Sequence, residues 1–87
     1  MPVQTFEDAV VQVKTLPAAP GPADLLSLYA WFKQATEGDV SGKRPGAMAF
    51  RDRAKYDAWE KVKGSSPEDA RAAYVAKVNE LLAKVGR

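Results

Sequence analysis

Apolar side chains recur at helical spacing through four stretches of this chain, and no strand-length stretch alternates apolar with polar residues. A chain patterned this way buries stripes, so it must pack helix against helix. The first stretch runs from about Thr5 to Leu16, with Phe6, Val10 and Val13 on one face, Thr5 placed to cap it and Asp8 as the return partner. The second opens between Pro22 and Asp24, closes at Gly38, and carries Leu25, Leu28, Tyr29 and Phe32 on one stripe. The third, from about Phe50 to Lys63, sets Ala54, Ala58 and Val62 four residues apart, with Lys55 and Trp59 on the adjoining stripe and Gly64 as its stop. The fourth has the clearest start: Ser66 as N-cap, Pro67 in the first helical position, and Glu68 and Asp69 where the helix dipole favours acids. It runs to about Val85 on a stripe of Tyr74, Val78, Leu81, Leu82 and Val85.

The connectors agree with this division. Three prolines between Pro17 and Pro22 remove donors and force extended geometry on their predecessors, making a stiff link. Asp39 to Gly46 is a turn region whose Lys43-Arg44 pair is expected to be a solvated surface feature. With 87 residues there is material for one core, so the expectation is a single all-α four-helix domain over residues 1–87.

The residue inventory excludes much chemistry. Without cysteine there is no disulfide frame, thiolate nucleophile or zinc–thiolate site, and without histidine there is no general base of the usual kind. The carboxylate pairs Glu7-Asp8 and Glu68-Asp69 fall in helix first turns, where they serve the dipole, and the serines have no base to activate them. No cofactor or metal is expected. A net charge of +2 is too small to imply a polyanion from the total. A nucleic-acid partner is not expected either, because Asp52 and Asp57 dilute the cluster of Lys43, Arg44, Arg51, Arg53 and Lys55. No apolar run approaches the roughly 18 residues of a membrane span, and the first residues lack the blocks of a signal peptide. The expected setting is soluble and intracellular, without stable membrane insertion.

The second helix departs from an ordinary core helix, which keeps its buried stripe aliphatic and its lysines on the far face. Here Tyr29, Phe32 and Lys33 share one edge, which could receive something flat and anionic. Packing alone also accounts for such a stripe. Tyr29, Phe32, Tyr56, Trp59 and Tyr74 could be core aromatics, and Lys33 and Lys55 solvated lysines with their stems along apolar neighbours. An aromatic edge of this kind could also dock a protein partner, as in a helical regulatory module.

The joint pattern is more specific. YAWFKQATEGD (29–39), KRPG (43–46), KYDAWEKVKG (55–64) and SPEDARAAY (66–74) together resemble the signature of the acyl-CoA-binding protein family, over nearly the whole chain and without insertions. The resemblance implies a four-helix up-down-down-up bundle that binds medium- to long-chain acyl-CoA thioesters reversibly. It implies a monomeric cytoplasmic carrier and pool former, not an enzyme. It also implies residue roles. Tyr29, Lys33 and Lys55 stand where the family holds the phosphorylated adenosine, Phe32 where an aromatic lies against adenine, and Tyr74 where the last helix completes that side. Lys14 and Arg51 fall at further basic positions. Phe32 stands where many members have tyrosine, Arg51 where lysine is usual and Tyr56 where tryptophan is usual, and Ala18-Ala19-Pro20 lacks a common lysine.

Overall fold

The computed structural model describes residues 3–86, so Met1, Pro2 and Arg87, the ends of the expected domain, lie outside the described residues. It contains α1 (Phe6–Gln12), a 3₁₀ turn (Val13–Thr15), α2 (Pro22–Glu37), α3 (Phe50–Lys61) and α4 (Pro67–Lys84), and no strand among the described residues. α2 and α4 form the central pair, α1 packs on α4 and α3 on α2. The result is an all-α bundle whose Cα atoms span 40 × 27 × 16 Å. At that thickness, grooves between neighbouring helices open directly to the surface.

The expected helix boundaries hold where capping chemistry sets them. The Thr5 hydroxyl accepts from the Asp8 amide at 3.1 Å, and Ser66 does the same for Asp69 at 3.0 Å. Gly38 closes α2 with a φ of 84°, which a side chain would resist. Two boundaries move. α1 is α-helical only to Gln12: the Thr15 hydroxyl donates to the Gln12 carbonyl, and Leu16 is already extended, as the residue before Pro17 must be. α3 ends at Lys61 rather than Lys63, because Val62 and Lys63 donate to carbonyls three residues back and tighten the chain into a turn before Gly64.

Ala9, Leu28, Tyr74, Val78, Leu81 and Leu82 form the buried centre, and Val3, Phe6, Val10, Val13, Leu16, Trp31 and Val75 pack against it. The apolar stripe of α4 stops one turn short of expectation: Val85 caps the helix and remains 43% exposed. Asp24 of α2 pairs with Lys77 of α4 at 2.5 Å, which holds the Asp24 carboxyl below the usual range. The Asn79 side chain exchanges two hydrogen bonds, 2.7 and 2.9 Å, with the backbone of Val3 and ties the N-terminal segment to α4.

A second tie gathers the opposite end. Gln34, buried to 1% exposure, donates to Asp39 and to the Ser65 carbonyl, both at 2.8 Å, while the same Asp39 oxygen accepts from the Gly64 amide at 2.8 Å. One carboxylate thus joins the end of α2 to the turn between α3 and α4. The Gly64 amide first, and the Gln34 amide second, hold the Asp39 carboxyl below its ordinary value. A depressed carboxyl contributes stability that is complete above its unfolded-state value, about pH 4, and is lost as the pH falls through the lowered native value. Asp39→Ala is therefore expected to lower the denaturant midpoint at about pH 7 and to make progressively less difference towards about pH 3. An equal loss at both ends of that range would remove the ionised carboxylate from the account. Ser66→Ala, which removes only a cap, should cost about 1 kcal/mol, or about 4–8 °C in Tm for a chain of this size, in a thermal melt followed by circular dichroism.

The turn region from Asp39 is better anchored than a solvated loop. Arg44 forms a two-pronged pair with Asp57 of α3, both contacts at 2.7 Å, and the Tyr56 hydroxyl donates to the Gly42 carbonyl at 3.2 Å. Lys43 and Arg44 are both at the surface as expected, but Arg44 in addition pins the loop onto α3 with planar geometry that a lysine could not reproduce.

Candidate functional site

The edge of α2 read from the sequence becomes two adjoining clefts with Tyr29 in the wall between them. One, of about 320 Å³, is lined by Val13, Pro20, Leu25, Leu28, Tyr29, Phe32 and Tyr74. The other, of about 270 Å³, is lined by Tyr29, Pro45, Asp52, Lys55, Tyr56 and Trp59. The first is apolar and aromatic; the second is also largely aromatic but carries the opposite charges of Asp52 and Lys55 in its lining.

Lys33 and Lys55 reach Tyr29 from different helices. The Lys33 ammonium lies 6.0 Å from the Tyr29 ring centroid and 5.1 Å from that of Trp59, and the Lys55 ammonium lies 5.5 Å from the Tyr29 ring. Such distances permit attraction between cation and ring, and they bring two positive charges to one phenol. Trp59 is held in place by its indole N–H, which donates to the Gly38 carbonyl at 2.8 Å. Lys33 is also paired with Glu37 one turn along α2; the hydrogen bond to that carboxylate raises the lysine above its usual value, so it stays cationic.

Phe32 is a platform rather than a core residue. Its ring packs beside Phe6 at 5.8 Å with planes 28° apart and leans on Tyr74 at 6.1 Å, while Tyr74 meets Phe6 edge-on at 5.1 Å. Phe32 remains partly exposed, whereas Tyr74 is buried and its phenol is pushed up by that burial. Of the residues singled out from the sequence, the fold brings Tyr29, Lys33 and Lys55 together, and Phe32 and Tyr74 beside them. Lys14, in the 3₁₀ turn, and Arg51, in the first turn of α3, line neither cleft and are exposed. Trp59, Phe6 and Pro45 join the site without having been assigned to it. For Trp59 a signal existed in its i, i+4 spacing from Lys55, whereas Phe6 and Pro45 arrive by tertiary packing alone. Among the described residues no group of carboxylates could hold a metal ion.

Residues 3–78 match the family model described as Acyl CoA binding protein. The chain belongs to the acyl-CoA-binding protein family. It is 48% identical over 82 residues to acyl-CoA-binding protein homolog 1 of Caenorhabditis elegans, covering 94% of this chain and 95% of that one. To the acyl-CoA-binding protein of Saccharomyces cerevisiae it is 47% identical over 81 residues, covering 93% of each. The crystal structure of Oryza sativa acyl-CoA-binding protein 2 superimposes with a TM-score of 0.87 at 45% identity, over 92% of this chain and 89% of that one. The family is one of binding proteins.

Proposed function

We propose that this chain binds medium- to long-chain acyl-CoA thioesters reversibly and serves as a carrier and pool former for them. The observation that carries the reading is the convergence of Lys33 and Lys55 on Tyr29, which also lines an apolar, aromatic cleft. A CoA thioester has matching parts, a multiply charged nucleotide and a hydrocarbon tail. The two ammonium groups and the Tyr29 hydroxyl take the ribose phosphate, each charge-assisted hydrogen bond contributing about 1.5–3 kcal/mol. Adenine lies on the open face of Phe32, where stacking contributes roughly 1–3 kcal/mol, with Tyr74 behind it. Lys14, next in sequence to Val13 of the cleft wall, and Arg51, one helical turn before Lys55, are assigned as further cationic contacts for the nucleotide.

Leu25, 47% exposed, continues the apolar wall towards the start of α2 and offers the acyl chain a surface to cover. An amphiphile of this kind must have its tail shielded to diffuse through water, and the reading is of a monomeric cytoplasmic carrier, not an enzyme, that does so. The absence of histidine and cysteine from the sequence supports binding over catalysis. Isothermal titration with palmitoyl-CoA, CoA and palmitate tests the reading: tight one-to-one binding is expected for the thioester alone. Equal affinity for palmitate and palmitoyl-CoA would contradict it, and no binding of any of the three would turn attention to a protein partner for the aromatic edge.

A further inference from the structure

The two most exposed large apolar side chains among the described residues are close neighbours in the chain. Met48 is 88% exposed and Phe50 is 74% exposed, two residues apart at the junction of the loop with α3. The Ala49 amide donates to the Gly46 carbonyl at 3.0 Å and closes a tight turn with Ala47 and Met48 at its tip. The loop behind it is clamped to α3 by Arg44–Asp57 and by Tyr56. The pair is therefore held outward by a braced turn, whereas a loose loop would let it fold back onto the core. Single exposed apolar residues need no explanation, but adjacent ones held at a protruding corner do.

The charge around that corner supplies the partner. Four of the 13 basic residues and one of the 11 acidic residues lie between Lys43 and Arg53, so this segment carries +3 although the whole chain carries +2. Arg44 is engaged by Asp57, whereas Lys43, Arg51 and Arg53 have no ion pair among the described residues. Asp52 is the acidic residue within the segment and lies in the lining of the cleft beside Lys55. An apolar tip inside a basic collar is complementary to the surface of an anionic bilayer, where the side chains enter the headgroup boundary and the cations meet lipid phosphates and carboxylates. No helix among the described residues is long and apolar enough to cross a membrane, so the contact is peripheral.

We propose that Met48 and Phe50, with Lys43, Arg51 and Arg53 around them, form a docking tip for anionic lipid bilayers. Pro45, in the same loop, lines the cleft that holds Tyr29 and Lys55, so docking brings the mouth of the acyl-CoA site to the membrane surface. Docking itself does not require acyl-CoA.

Sedimentation of the ligand-free protein with large vesicles tests this, using phosphatidylcholine alone and phosphatidylcholine in which a third of the lipid is phosphatidylserine. The expected result is binding to the anionic vesicles at low ionic strength and its reversal by added salt. It should weaken about tenfold or more in Met48→Ser/Phe50→Ser and about fivefold in Lys43→Glu. These side chains touch neither cleft, so the affinity for palmitoyl-CoA in solution is expected to stay as in the parent protein. Failure to bind anionic vesicles, or unchanged binding by the double variant, would overturn the proposal. So would a wild-type dimer in analytical ultracentrifugation that the double variant abolishes, which would make the corner a self-contact. Palmitoyl-CoA binding without vesicle binding would defeat only the docking tip, and vesicle binding without palmitoyl-CoA binding only the carrier reading.

Discussion

Affinity is expected to rise about fifteenfold for every two methylenes added to the acyl chain, until the apolar surface beside α2 is fully covered. Each buried methylene contributes about 0.8 kcal/mol, so two of them multiply the association constant by that factor. Over the fourteen methylenes of a palmitoyl chain the gross gain reaches about 11 kcal/mol before ordering costs, near the top of the roughly 5–12 kcal/mol that the phosphate contacts and adenine stacking together supply. Head groups then decide that the ligand is a CoA ester, and tail length decides how tightly it is held. A titration series from octanoyl- to eicosanoyl-CoA measures both. A steep rise followed by a plateau gives the length of chain that the surface covers, and free CoA should bind weakly because it has no tail to bury. A flat response from the shortest ester upward would mean that the tail stays in water and that Leu25 and its neighbours take no part.

The second large effect is expected from the paired lysines. Lys33→Ala or Lys55→Ala alone should weaken palmitoyl-CoA binding by roughly 10- to 150-fold, the equivalent of one charge-assisted contact of about 1.5–3 kcal/mol. The double variant should lose less than the product, because both cations serve one phosphate and their effects are coupled. The losses should be much smaller for a thioester lacking the 3′-phosphate, a readout that a purely structural role would leave unmoved. Neither lysine belongs to the buried centre, so helicity should be retained. Loss of helicity together with binding would instead make the lysines packing residues whose stems cover Tyr29 and Trp59. Glu37 enters the same experiment: it holds the Lys33 ammonium in the free protein, and the arriving phosphate must share or take over that cation.

Much of this was open to reading along the chain because it depends on neighbours in sequence. A cap needs a hydroxyl three residues before an amide, so Ser66 and Asp69 state the start of α4 by themselves, as Thr5 and Asp8 state that of α1. A stripe needs only helical periodicity, and Leu25, Leu28, Tyr29 and Phe32 do line one cleft. The family resemblance carried the grouping of Tyr29, Lys33 and Lys55 across α2 and α3, which periodicity within either helix could not supply.

Tertiary structure alone decided the rest, wherever partners lie far apart in the chain. Gln34 is an ordinary polar helix residue by sequence, and its burial follows from Asp39 and Ser65 closing over it from two loops. Arg44 is a surface residue by sequence and in the fold, but its partner Asp57, thirteen residues away, is fixed only by the placing of the loop on α3. Val85 extends the α4 stripe on paper, yet a stripe is buried only as far as another helix reaches to cover it. Phe6 backs Phe32 for the same reason, since α1 and α2 meet only because both pack on α4. Periodicity and capping, being local, were settled by the order of residues. Which surfaces were covered, which charges met and which apolar tip was left facing outward were settled by the packing of whole helices.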